Sequence, residues 1–301
     1  MKKALNQWCL PREWTWEQSF DAAAEAGFDA LELSIDHPPF FEAMRASPVE
    51  GLIADIARSV GSAFAPSKAI TTETPDEEIS VIADMATSRG LAISSVLTIA
   101  QFHYSLIDGD PSVRSAGVGL VRRLLDIASI VGAPNILVIP GVVTSQIPYE
   151  VAYDRLRESL AALVGHAEMR GVGMGIEDVW GKFLYSPLEM RSLVGSFDSK
   201  AVGVHFDVGN VMQYGYPDQW IRLLGPHLLT IHVKDFLPEI GNIRGFTHLF
   251  QGDVPWGAVM KALREVDYQG YLVAEVPPYR FAPDEGIRDI GRKLDILLGL
   301  D

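Results

Sequence analysis

Four apolar runs in the C-terminal half of this chain each end on a side chain that can bind a metal ion. Gly173–Ile176 runs into Glu177, Ala201–Phe206 into Asp207, Leu228–Ile231 into His232, and Tyr271–Ala274 into Glu275. Three carboxylates and one imidazole suit a hard or borderline divalent cation, which prefers oxygen donors with a small share of nitrogen. A short apolar run closing on one polar group is also how a buried parallel strand reads at its C-terminal end. If the four strands share one closed barrel, the four side chains converge on a single mouth.

The rest of the chain has to supply that barrel. It has 301 residues, 48% hydrophobic and 21% charged, which is globular composition with enough apolar side chains for a large core. Strand signals recur at Ala4–Cys9, Asp29–Ile35, Ala92–Leu97, Asn135–Ile139, Gly171–Glu177, Ala201–Phe206, Leu228–Val233 and Tyr271–Val276. Helical signals lie between them: Trp16–Ala26 before Gly27, Ile79–Ser88, Pro111–Ile130 before Gly132, Tyr149–Met169, a helix opening at Ser186-Pro187, Pro217–Leu224, Val254–Val266 and Asp284–Leu298. This alternation predicts one α/β domain over residues 1–301, a (β/α)8 TIM barrel rather than a doubly wound open sheet. The pattern is less regular at about 37–75, where Phe40–Gly61 could hold a helix and Ala63–Thr74 reads as loop. A connection of that length is expected to be a lid or an inserted segment.

A net charge of −14 disfavours a nucleic-acid or anionic-membrane surface, since phosphate repels such a chain. Cys9 is the single cysteine, so no intramolecular disulfide can form. Met1-Lys2-Lys3 leads into a short mixed run broken by Asn6 and Gln7, too polar for a signal peptide, and no apolar run approaches the ~20 residues that span a bilayer. The expected location is cytoplasmic, with a small-molecule substrate and neither nucleic acid nor membrane as partner.

Other candidates at the barrel mouth are Gln7 and Trp8 after the first strand, Glu32 on the second, His103 after the third, and Asn210 and Lys234 beside the proposed ligands. His205 precedes Asp207 by two and shares its side of the strand, where it either packs inside the barrel or touches substrate. Lys234 and Asp235 read either as active-site groups or as a structural ion pair; His103 and His248, in polar loops, read as surface residues. Trp8 reads as core or as a platform for a sugar. A phosphorylated substrate would want cations, and Lys68, Arg114, Lys182, Arg244 and Arg280 are borne on loops without forming a cluster.

Gly175-Ile176-Glu177-Asp178, His205-Phe206-Asp207-Val208-Gly209-Asn210, Ile231-His232-Val233-Lys234-Asp235 and Ala274-Glu275-Val276 follow one another in an order that resembles the xylose isomerase-like TIM-barrel superfamily. Within it the likeness is to sugar and sugar-phosphate isomerases and epimerases, including ketose 3-epimerases and hexulose-phosphate epimerases. Gln7-Trp8-Cys9-Leu10-Pro11, Gly27–Glu32 and Gly252–Trp256 extend the likeness over nearly the whole chain. The resemblance implies that Glu177, Asp207, His232 and Glu275 bind one divalent ion, Mn²⁺ first, with Co²⁺ or Mg²⁺ as alternatives. It also implies that Glu177 and Glu275 move the proton through a metal-bound enediolate of a ketose or ketose phosphate. Trp8, His205, Asn210, Lys234 and Arg244 are the substrate-binding candidates. Two positions depart from the epimerase pattern. Asn210 stands where a His is usual and Pro238 where an Arg is usual, with Arg244 as a substitute for the latter. The same superfamily implies alternatives: a lyase, dehydratase or decarboxylase of a keto-sugar or keto-inositol, and an apurinic endonuclease. Scattered histidines and the negative charge oppose the endonuclease. The resemblance also implies pairing through mouth loops, so a homo-oligomer in which Phe40-Phe41 or Phe246–Phe250 covers a neighbour's site is a further expectation.

Overall fold

Eight parallel strands close on themselves in the computed structural model, which describes residues 1–46 and 68–300. They are β1 (Lys2–Asn6), β2 (Ala30–Asp36), β3 (Ala92–Leu97), β4 (Asn135–Val138), β5 (Gly173–Glu177), β6 (Val202–Asp207), β7 (Leu228–Val233) and β8 (Tyr271–Ala274). Each pairs with its neighbour in sequence, and β1 joins both β2 and β8, so among these eight no sheet edge is left open. A two-residue strand, Ile70–Thr71, extends the sheet beside the end of β2. This corrects the expected loop over Ala63–Thr74 at those residues. The helix expected over Phe40–Gly61 is observed as α2 (Pro38–Ala46), and the remainder of that span to residue 61 lies outside the described residues.

Local chemistry sets the element ends. α1 (Trp16–Glu25) starts with a capping box in which Thr15 and Gln18 satisfy each other's backbone N–H groups. α3 (Pro111–Val131) begins on proline, takes its cap from Asp110, and ends on Gly132 at φ 71°. β1 is shorter than its apolar pattern suggested. Asn6 caps a 3-10 turn over Gln7–Cys9 by accepting the Trp8 N–H at 2.7 Å, and that turn lifts Trp8 off the strand towards the mouth. Gln7 folds back, its Oε1 accepting the Ser34 N–H at 2.9 Å, and so ties β1 to β2.

The main core lies between the strands and the surrounding helices, and a second cluster sits at the C-terminal ends of β3 and β4, built from Phe40, Leu97, Ile99, Phe102, Leu137 and Ile139 with their neighbours. Phe40 is therefore buried within its own barrel mouth. Among the described residues no helix is long and apolar enough to cross a membrane.

Asp235 is a structural hub. Its carboxylate accepts the backbone N–H groups of Phe236, Phe250 and Val254 at 3.0, 2.9 and 3.0 Å, and the Trp256 Nε1–H at 2.9 Å. Four donors on one buried carboxylate fix the loop that leaves β7 and deliver the helix Trp256–Glu265. Lys234, one residue earlier, points to the other side and joins the mouth, so the pair is not a structural ion pair.

Candidate active site

Glu177 and Asp207 are the last residues of β5 and β6, His232 is the penultimate residue of β7, and Glu275 follows β8 directly. Register places Glu177 beside His205 and Asp207 beside His232. Ligand atoms of Glu177, Asp207 and His232 all lie within 4.8 Å of one another, and Glu275 Oε2 lies 3.6 Å from His232 Nδ1. Asp207 divides its oxygens. Oδ1 accepts the Asn210 N–H at 3.0 Å and caps the helical turn Val208–Val211, while Oδ2 faces His232 Nδ1 at 3.7 Å. Asp178 holds the Asp207 backbone in turn, its Oδ1 accepting the Asp207 N–H at 2.7 Å.

Lys234 reaches between Asp207 Oδ2 and Glu275 Oε2 and contacts both. Gly209 makes room for it, since a Cβ there would stand 2.7 Å from Lys234 Cγ and 3.1 Å from its carbonyl oxygen. Asn210 is buried, and its Nδ2 lies 3.4 Å from Glu177 Oε1 in donating orientation. Trp8 lines the same cavity. His205 and Arg244 do not. His205 lies in the barrel interior with its ring edge-on to His232 at 4.1 Å, and Arg244 is exposed, although its neighbours Ile243 and Phe246 line the cavity. His103 is exposed and His248 half-buried, packed edge-on to Tyr279.

Beneath the mouth lies a polar layer in a part of the barrel where Val, Ile and Leu usually dominate. Fully buried Glu32 accepts from Asn6 Nδ2 at 2.6 Å, from Ser95 Oγ at 2.5 Å and from His232 Nε2 at 2.7 Å. An ionised carboxylate only accepts, so Nε2 carries the hydrogen and Nδ1 is the atom turned to the three carboxylates. Among the described residues His232 Nδ1 is a buried atom without a hydrogen-bond partner, because 3.6 and 3.7 Å are too long for one. A buried nitrogen left unpaired and aimed at clustered carboxylates is what a divalent-ion site requires.

Charges sort the carboxyls. Burial pushes Glu177 up to about 8, with Glu275 and Asp207 adding to the shift. Burial alone would raise Glu275 too, but Lys234 and His232 hold it below the usual carboxylate range. Asp207 is likewise held down, by Lys234 against burial. Burial opposes a charge on His232, yet Glu32 and Glu275 lift it well above an ordinary imidazole. Burial and the His232 charge push His205 down to about 3, so that ring is neutral.

A family model described as xylose isomerase-like TIM barrel matches residues 20–295 of the chain. The chain belongs to that family. The 2-epi-5-epi-valiolone 7-phosphate 2-epimerase of an Actinoplanes species is 31% identical over 124 residues, covering 40% of this chain and 44% of that enzyme. Matches to three curated relatives span between 44% and 62% of those proteins' own lengths. Among solved structures, a D-psicose 3-epimerase from Clostridium cellulolyticum with D-tagatose superposes with a TM-score of 0.72 at 17% identity, covering 100% of this chain and 99% of that one. The IOLI protein with a bound zinc atom superposes with a TM-score of 0.74 at 14% identity, covering 99% and 98%. At these identities the structures share the fold with this xylose isomerase-like chain.

Glu32 has a role that position along the sequence could not give it: the signal was an acidic residue in the middle of a strand whose residues are all buried. Glu32→Gln can donate as well as accept, and so no longer fixes the His232 ring. Affinity for a divalent ion is expected to fall about 10- to 100-fold, read by calorimetric titration of chelator-stripped protein. An unchanged affinity would reduce Glu32 to a packing residue.

Proposed function

We propose that this xylose isomerase-like protein is a divalent-metal-dependent isomerase or epimerase of a keto-sugar, with Glu177 and Glu275 carrying the proton. The observation that supports this most directly is the cluster of Glu177, Asp207 and His232, with Glu275 alongside, opening into a cavity of about 370 Å³. Those four residues would hold the ion, and their three carboxylates and one imidazole suit Mn²⁺, with Co²⁺ or Mg²⁺ as alternatives. Bound there, the ion would supply positive charge opposite the negative charge that grows on a carbonyl oxygen when a neighbouring C–H proton leaves.

The chain's own groups do the rest. Glu177 and Glu275 reach the cavity from β5 and β8, so a carbon held between them meets one carboxyl on each face. One takes the proton and the other returns one, which inverts the carbon; in the reverse direction they exchange roles. In the ion-free protein burial raises Glu177 whereas Lys234 and His232 hold Glu275 down, so their surroundings already set the two carboxyls apart in acidity. Asn210 supplies an amide beside Glu177 that can hold a substrate hydroxyl.

The test is proton NMR in D₂O on chelator-stripped protein, with and without Mg²⁺ or dilute Mn²⁺, against ketoses, ketose phosphates and keto-glycosides. Metal-dependent deuterium uptake next to the carbonyl, with a new epimer or an aldose, is expected. Release of water or CO₂ instead would transfer the protein to the lyases, and inertness towards all of them would overturn the proposal.

A further inference from the structure

The cavity is chemically two-sided. Among the described residues that line it, Glu177, Asn210, Lys234 and Glu275 stand together, whereas the side formed by the ends of β3 and β4 is apolar but for Thr98. There Leu97, Ile99, Phe102, Leu137, Ile139 and Val179 line the space. They are not stray core residues, since all six belong to the separate hydrophobic cluster at the mouth. The wall is also firmly built. Buried Gln101 donates from Nε2 to the carbonyls of Leu137 at 3.0 Å and Thr98 at 3.3 Å, and its Oε1 accepts the Ile139 N–H at 3.1 Å. Thr98, the hydroxyl on this side, accepts the Ala100 N–H at 3.3 Å and so caps its own turn.

A free ketose carries a hydroxyl on almost every carbon. Each hydroxyl pressed against this wall loses its water partners without gaining others, and each such loss weakens binding roughly tenfold. Arg12 lines the cavity, so a phosphorylated sugar belongs in the test. Of the other cations, Lys234 is held by Asp207 and Glu275, and Lys68, Arg114, Lys182, Arg244 and Arg280 do not line the cavity.

We propose that the substrate is amphipathic: a keto-sugar whose reacting carbons lie against Glu177 and Glu275 and whose apolar aglycone, aryl or alkyl, lies against the wall of Leu97, Ile99, Phe102, Leu137, Ile139 and Val179. This rests on the proposed function for the choice of a keto-sugar, but the wall can be tested by binding alone. Phenyl and methyl β-D-glucopyranoside share one sugar and differ in the aglycone, and D-fructose and D-fructose 6-phosphate represent the free and phosphorylated ketoses. Calorimetric titration of the metal-loaded full-length protein is expected to show the phenyl glycoside binding at least about tenfold tighter than the methyl glycoside and tighter than either ketose. Val179→Thr keeps the shape and adds a hydroxyl to the wall, and it is expected to cut the phenyl-to-methyl ratio several-fold. Equal affinities within twofold, no saturable binding of the phenyl glycoside, or tighter binding of D-fructose 6-phosphate would each overturn the proposal. Deuterium exchange separates the two readings. Exchange in free ketoses without an aryl preference removes the wall's role and leaves the reaction, and an aryl preference without exchange in any keto-glycoside does the reverse.

Discussion

Glu177→Gln and Glu275→Gln are each expected to lower deuterium exchange next to the substrate carbonyl by about 10²- to 10⁴-fold, the usual contribution of a positioned acid or base. The amide matches the carboxyl in shape and cannot give or take the proton. Structure gives little reason for either change to unfold the chain. The contact found for the Glu177 carboxyl is Asn210 Nδ2 at 3.4 Å, and Glu275 is engaged by Lys234, which keeps Asp207 as a partner. In the proposed relay the two work as a unit, so the double variant is expected to be little worse than the poorer single variant. Circular dichroism and thermal melting check the fold beside the NMR rate. A variant that kept its rate within about threefold of wild type would remove that glutamate from the proton path.

The barrel was legible because its strands are buried on both faces and read as apolar runs, and because the last four of those runs close on a polar side chain. Glu177, Asp207, His232 and Glu275 stand out in sequence for that reason, and the structure brings them together, with Glu177 and Glu275 lining the cavity. Other features depend on distances across the barrel that spacing does not encode. Glu32 and His232 are 200 residues apart and share a hydrogen bond at 2.7 Å. Lys234 and Asp235 are adjacent and serve opposite sides, one in the site and the other in the loop behind it. Arg244 was the reasonable substitute for an arginine absent at 238, yet the 3-10 turn Ile243–Gly245 leaves its side chain exposed. The apolar wall was illegible for a simpler reason. Leu97 or Ile139 looks the same in sequence whether another side chain covers it or a ligand does, and only the packed mouth shows which residues face the open space.

Loading the site with a divalent ion is expected to release protons. His232 is raised well above an ordinary imidazole and is charged at pH 7 in the ion-free protein, and Glu177, at about 8, is mostly protonated there. An ion needs the lone pair of His232 Nδ1 and the ionised Glu177 carboxylate, so protons compete with it. Both shifts are upward, which fixes the sign: affinity strengthens as pH rises from 6 towards 8, and roughly one to two protons leave per ion bound at pH 7. Titrations in buffers of different ionisation enthalpy count them without reference to turnover. His232→Ala removes one ligand and one of the competing protons together. Its affinity is expected to drop by more than the roughly 100-fold upper range for losing a hydrogen-bond partner such as Glu32, and proton release should fall by about one per ion. Asp207→Asn should weaken binding too but leave the count nearer to wild type, because Lys234 already holds Asp207 ionised. Full metal content in His232→Ala, or an affinity flat from pH 6 to 8, would place the ion elsewhere in the chain.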